Sequence, residues 1–160
     1  MSADAKKAET TFVSMIFSKT FGYAARGILY VAIASERQKK VQLDEMAEVL
    51  NVPRHFLGKV MKRMVKEGIL TSMKGPYGGF YINDKTLNTP LYRIIEITGE
   101  SEDFATCVLN LSKCSSQNPC PMHKKMEEVR KECKNILFST TIGDLLSKEQ
   151  PDFIRSITTI

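Results

Sequence analysis

A chain of 160 residues with a net charge of +5 and an ordinary apolar fraction fits one soluble globular domain, or a small domain with an accessory element. The uncharged apolar run Gly27 to Ser35 is far too short to cross a bilayer, and no charged segment with a cleavable apolar core opens the chain, so the expectation is a cytoplasmic protein without membrane contact. The positive charge suggests a polyanionic partner, provided that it collects on one docking element.

Residues Met1 to Ser14 are small and polar with no apolar period, and read as a flexible extension. From Met15 to Ser35 the apolar positions Tyr23, Ala24, Ile28, Val31 and Ala32 recur at helical spacing with little charge between them, which predicts a core helix in which Gly27 admits a close neighbour. Val41 to Leu50 carries the stripe Leu43, Met46, Ala47 and Leu50, with Asp44 and Glu45 in the first turn where the helix dipole favours acids. Asn51-Val52-Pro53 then breaks the chain, and Pro53 opens a second helix that runs to Glu67 and stops at Gly68. Two helices so closely joined make a helix-turn-helix.

On the second helix Leu57, Val60, Met61, Met64 and Val65 share one face, while Arg54, His55, Lys59, Lys62, Arg63 and Lys66 lie off it, opposed only by Glu67. A solvated surface helix shows the same charges, so the following segment decides. Ile69 to Met73 reads as a strand, Lys74 to Gly79 as a turn and Phe80 to Ile82 as a returning strand. A hairpin after the cationic helix is a winged helix, whose tip brings backbone and Lys74 to phosphate or into a minor groove. No Gly-Lys-Ser/Thr follows these glycines, which argues against a nucleotide-phosphate loop.

Pro90 to Thr98 is a short amphipathic helix with Leu91, Ile94 and Ile95 on one face. Between Thr106 and His123 lie Cys107, Cys114 and Cys120, separated by six and then five residues, with two more before His123. Structural zinc sites pair cysteines across about two to four residues, whereas these gaps suit a loop around a larger object such as an iron–sulfur cluster. Ser115, Ser116, Gln117 and Asn118 can turn backbone N–H groups toward sulfur, and Pro119 and Pro121 stiffen the chain around Cys120. Oxidant-sensing thiols that form a disulfide, zinc at an unusual spacing, and cysteines without a role remain open beside the cluster. After the loop, Pro121 starts a longer helix. Met122, Met126, Val129, Cys133 and Ile136 repeat at spacings of four and three, the seam of two packed helices; it could pack on its own domain, but so narrow a seam on a charged helix favours a homodimer, with Cys133 as a small core residue. Thr141 with Asp144 caps a last short helix through Leu146, and the tail from Pro151 is expected to be loosely held.

The expected fold is therefore mainly α with a small β-hairpin wing: an extension (1–14), a winged helix-turn-helix domain (15–100), a cysteine loop (101–120), a dimerisation helix with a C-terminal helix (121–150) and a tail (151–160). No nucleophile constellation, general base or open zinc triad marks an enzyme. An iron–sulfur electron carrier would leave the cationic helix and wing unexplained.

Taken together, Gly22-Tyr23-Ala24, Lys74-Gly75-Pro76-Tyr77-Gly78-Gly79-Phe80, the three-cysteine loop and Thr141-Ile142-Gly143-Asp144-Leu145 resemble the Rrf-two family of bacterial transcription regulators, over about Met15 to Leu146. The resemblance implies a homodimer on a pseudo-palindromic double-stranded operator, with recognition helices in successive major grooves and C-terminal helices crossing between subunits. It further implies that Cys107, Cys114 and Cys120 hold an iron–sulfur cluster through which the regulator senses redox state, nitric oxide or iron–sulfur status. The fourth ligand is a histidine three residues after the last cysteine in the IscR branch, or an acidic residue of the first helix in NsrR-like members. This chain has His123 at the first position and Gly22 at the second, which favours a 2Fe–2S over a 4Fe–4S cluster, one readily lost in air. Arg54, His55 and Lys59 are then expected at base edges or adjacent phosphates, Lys19, Lys62 and Arg63 at phosphates or as solvated charge, and Lys74, Gly75, Tyr77 and Gly78 at the wing contact. Gly58 stands where IscR carries a glutamate that discriminates DNA sites, and leaves space between His55 and Lys59. The competing reading is the same fold without a cluster, triggered by thiol oxidation or by a protein partner.

Overall fold

A computed structural model describes residues 17–36, 39–99, 109, 115–147 and 156–157. Helix α1 (Lys19–Glu36) starts where the Ser18 hydroxyl accepts the Thr20 N–H at 2.9 Å and the Phe21 N–H at 3.4 Å, satisfying donors that a helix start leaves open. Its apolar stripe is its buried face: Ala24, Ile28 and Val31 are sealed from solvent. A Cβ at Gly27 would stand 2.8 Å from the Met61 sulfur, so the missing side chain lets the next helices close on α1, as expected.

Those helices are α2 (Leu43–Val49) and α3 (Arg54–Lys66), joined through Asn51 at a φ of 49°. Pro53 caps α3 and does not occupy its first turn. Met46, Leu57, Met61 and Met64 complete the core beneath α1. The hairpin follows as β1 (Leu70–Met73) and β2 (Gly79–Ile82), antiparallel with Leu70 opposite Ile82 and Met73 opposite Gly79. Val41, which apolar period assigned to a helix, instead exchanges both backbone bonds with Phe80, at 2.9 and 2.8 Å. Its peptide groups are spent on the sheet, so α2 starts two residues later. Behind the hairpin the buried Thr86 hydroxyl donates to the Ile69 carbonyl at 2.6 Å and accepts the Asn83 N–H at 2.9 Å, which removes the cost of burying it.

Helix α4 (Leu91–Thr98) ends at Gly99, and α5 (His123–Ser139) begins two residues after the expected Pro121. Ile95 of α4 and Leu137 of α5 form a small second core with Phe17, Phe21, Leu91, Tyr92 and Cys133 around it. The chain then returns to the main domain: Leu91 N–H donates to the Thr140 carbonyl at 2.9 Å, Ile142 N–H to Thr89 at 3.0 Å and Gly143 N–H to Leu87 at 2.8 Å. Helix α6 (Ile142–Leu145) carries the expected capping box. The Asp144 carboxyl is held below the usual carboxylate range by the Thr141 N–H and then its hydroxyl. Replacing Thr141 by alanine should cost about 1 kcal/mol of stability in a urea titration, since it removes the acceptor of the Asp144 N–H and the hydroxyl that faces the Asp144 carboxylate.

The tail corrects one expectation. Of its two described residues, Ile157 is buried in the main core, so the tail is anchored there by an apolar contact. The extension 1–14 and most of the cysteine loop lie outside the described residues.

Candidate nucleic-acid interface

The periodicity of α3 sorts its side chains by sign and by exposure. Leu57, Val60, Met61 and Met64 are buried, and Arg54, His55, Lys59, Lys62, Arg63 and Lys66 all face solvent. Glu67, the one acid expected to oppose them, is drawn away by Arg93 of α4, whose guanidinium bonds Glu67 at 2.9 Å and Glu96 at 3.1 Å. With Arg54 held by Asp44 and Glu67 by Arg93, Lys59, Lys62, Arg63 and Lys66 are the α3 cations with no ion pair among the described residues, and they give the exposed face its positive sign.

Two glycines have different jobs from those expected. Gly58 is buried, and a Cβ there would stand 3.0 Å from a Leu43 methyl. It seats α3 on α2 and opens no space toward DNA between His55 and Lys59. Gly78, expected at the wing contact, is also buried; its N–H donates to the Gly75 carbonyl at 2.9 Å, and a Cβ would stand 2.2 Å from the Met73 carbonyl oxygen. Its part is to fold the tip. The other expected wing contacts, Lys74, Gly75 and Tyr77, are exposed, Tyr77 to 91%. Gln42, before α2, donates its amide to the Pro76 carbonyl at 2.8 Å and ties the tip to the helix-turn-helix. Lys19 is exposed at the first turn of α1.

Sequence reasoning placed Asp44 as a first-turn acid and missed its partner. This first-turn acid of α2 binds the guanidinium of Arg54, the first residue of α3. The neighbouring Glu45 points elsewhere, to the Lys39 ammonium at 2.6 Å and the Tyr30 hydroxyl at 2.9 Å. Lys39 first, then Tyr30, hold its carboxyl below the usual range against the opposing effect of burial.

Of the expected ligands, Cys107 and Cys114 lie outside the described residues. Cys120 and His123 come together in one turn at the foot of α5, where the His123 N–H donates to the Cys120 carbonyl at 2.9 Å. Both are half-buried, Cys120 is not in a disulfide, and a tight Ser115–Asn118 turn leads into them. A thiol and an imidazole three residues apart are a donor set that suits soft or borderline iron, so the two described positions fit the expected cluster. Among the described residues no three His, Cys, Asp or Glu side chains converge.

The seam of α5 is split between two surroundings. Met122, Val129 and Ile136 are 40%, 51% and 54% exposed, whereas Cys133 turns toward Ile95 and Leu137 as the small core residue expected; Met126 is half-buried. Phe138, missed by the seam pattern, is half exposed and stacks on Tyr92 with ring centroids 3.9 Å apart. Among the described residues no helix is long and apolar enough to cross a membrane.

Comparison with known proteins agrees with this geometry. The family model Rrf2, described as an iron-dependent transcriptional regulator, matches residues 17–148. A protein of Aquifex aeolicus (strain VF5) named as an HTH-type transcriptional regulator is 38% identical over 138 residues, covering 85% of this chain and 94% of its own. The HTH-type transcriptional regulator IscR of Klebsiella pneumoniae (strain 342) is 24% identical over 128 residues, covering 80% and 77%. Among solved structures, CymR, the global cysteine regulator of B. subtilis, superposes with a TM-score of 0.65 at 21% identity over 82% of this chain and 95% of its own. IscR of T. potens does so with a TM-score of 0.63 at 21% identity over 81% and 85%.

Proposed function

The chain belongs to the Rrf2 family of transcriptional regulators, and from that premise we propose that it is a homodimeric, cytoplasmic DNA-binding regulator with an iron–sulfur sensing loop. It is a regulator and not an enzyme. In this reading α3 enters the major groove of each half of a pseudo-palindromic operator, with His55 and Lys59 at base edges, Lys62, Arg63 and Lys19 at phosphates, and Lys74, Gly75 and Tyr77 reaching from the wing. The observation that carries the DNA-binding half is the sign of the exposed α3 face once Arg93 has taken up Glu67.

Cys107, Cys114, Cys120 and His123 would hold the cluster, 2Fe–2S in preference to 4Fe–4S because of the imidazole. Bound there, it supplies one-electron redox chemistry and an oxidant-sensitive group. The chain offers a mechanical route from this loop to DNA. His123 begins α5, Leu137 of α5 packs on Ile95 of α4, and Arg93 of α4 bonds Glu67 just past the end of α3. A change in how the loop holds the foot of α5 would thus bear on the pose of the recognition helix.

Protein purified without oxygen should be coloured, with iron and sulfide in stoichiometric amounts, and Cys114→Ala should bleach it. Colourless wild type without iron, even after reconstitution, would overturn the cluster and leave the thiol- or partner-triggered regulator. Equal operator affinity of the apo and loaded forms would refute sensing through the loop.

A further inference from the structure

Asp44 and Arg54 face each other across the turn between α2 and α3. The Arg54 Nε donates to one carboxylate oxygen, and its Nη2 lies 3.5 Å from the other. The carboxylate therefore takes the side edge of the guanidinium. Its end edge, formed by Nη1 and the outer N–H of Nη2, has no partner among the described residues. That end edge presents two parallel N–H groups in a rigid plane, the pattern that matches O6 and N7 of guanine. Arg54 is also the first residue of α3, and the opening residues of a recognition helix are those that reach base edges. Both side chains are mostly exposed, at 62% and 67%, where an ion pair adds little to stability. Its consequence is orientation.

Resting on the DNA-binding reading of α3, we propose that Asp44 is a positioning residue for sequence recognition: it aims the end edge of Arg54 at a guanine and cancels the charge with which Arg54 would bind phosphate at any sequence. Arg54 then contributes to discrimination and little to salt dependence. Freed from Asp44, it becomes a mobile cation beside the DNA backbone. Because log affinity falls with log salt by about 0.9 per phosphate neutralised, two freed arginines in a dimer would steepen that slope by about 2.

The test uses the full-length protein and duplexes selected by the wild type from a random-sequence pool. Affinities for a selected and a scrambled duplex are measured across a salt series for wild type, Asp44→Ala, Arg54→Ala and the double variant. Asp44→Ala should bind the scrambled duplex several-fold more tightly, lower the selected-to-scrambled ratio about tenfold and steepen the salt slope by about 2. In the Arg54→Ala background the same substitution should change neither ratio nor slope, because the interaction is between the two residues. Discrimination and slope unchanged by Asp44→Ala, with a discriminating wild type, would overturn this inference alone, as would an effect that persists without Arg54. A wild type that selects no duplex would overturn the DNA-binding reading and this inference together. Unchanged thermal unfolding of the variants separates positioning from folding.

Discussion

Glutamate at both Val129 and Ile136 should leave the protein folded but monomeric, and lower its operator affinity about a hundred- to ten-thousand-fold, the loss expected when two tethered half-site contacts become independent. The two residues lie seven apart on α5 and are each about half exposed in the single chain, so their replacement takes nothing from the protomer core. The same helix uses another face inward, where Leu137 and Cys133 meet Ile95. In a dimer built on the seam, the introduced carboxylates would lie in a desolvated interface, where unpaired charges cost several kcal/mol. Sedimentation equilibrium reads the assembly state, circular dichroism the fold, and an operator titration the affinity. Leu137→Glu is the contrasting variant: it attacks the second core and should destabilise the protomer itself. A Val129→Glu/Ile136→Glu protein that stayed dimeric would remove the seam from the interface.

What the sequence made legible was whatever repeats along one element or clusters within a few residues. The burial stripe of α3, the close approach at Gly27, the hairpin after Gly68 and the Thr141–Asp144 box all follow from local period or local chemistry. The misses share a cause: each depends on what stands opposite. Val41 carries an apolar period that suits a helix, yet Phe80 claims its peptide groups. Gly58 and Gly78 look like openings toward DNA until Leu43 and the Met73 carbonyl are found against them. Asp44 reads as a dipole-favoured first-turn acid, and only the turn through Asn51 brings it to Arg54, ten residues on. Ile157 stands among Phe153, Ile154 and Ile160 at spacings of three and four, a helical period in too short a stretch to have been taken for part of the core. For the candidate sensor the balance is reversed. Donor types and spacing are plain in the sequence, while Cys120 and His123 are the positions that the described geometry joins.

Gly79→Ala should be among the most damaging substitutions of a small residue in the chain, lowering stability by about 3 kcal/mol and weakening operator binding at least tenfold, even though Gly79 touches no proposed DNA contact. Its φ is +143°, a region nearly closed to other residues, where occupancy costs about 1–3 kcal/mol. A Cβ would also stand 2.6 Å from the Val41 carbonyl oxygen and 3.1 Å from its nitrogen. Both contacts are backbone, so no side-chain rotation relieves them. The strand must withdraw, and the 2.9 and 2.8 Å bonds between Val41 and Phe80 go with it, at about 1 kcal/mol each. Gly75→Ala is the control: its φ of +110° carries strain as well, but nothing lies within 4 Å of the added carbon, so its cost should stay near the dihedral term alone. Urea titrations rank the two, and equal stabilities would refute the clash. The effect on DNA follows from what Val41 leads into. Gln42, the next residue, holds the Pro76 carbonyl of the wing tip, and Asp44, two further on, holds Arg54. Wing and recognition helix thus hang from one short segment that leads into the first turn of α2, and prising the hairpin from Val41 would disturb Tyr77 and Arg54 in the same step.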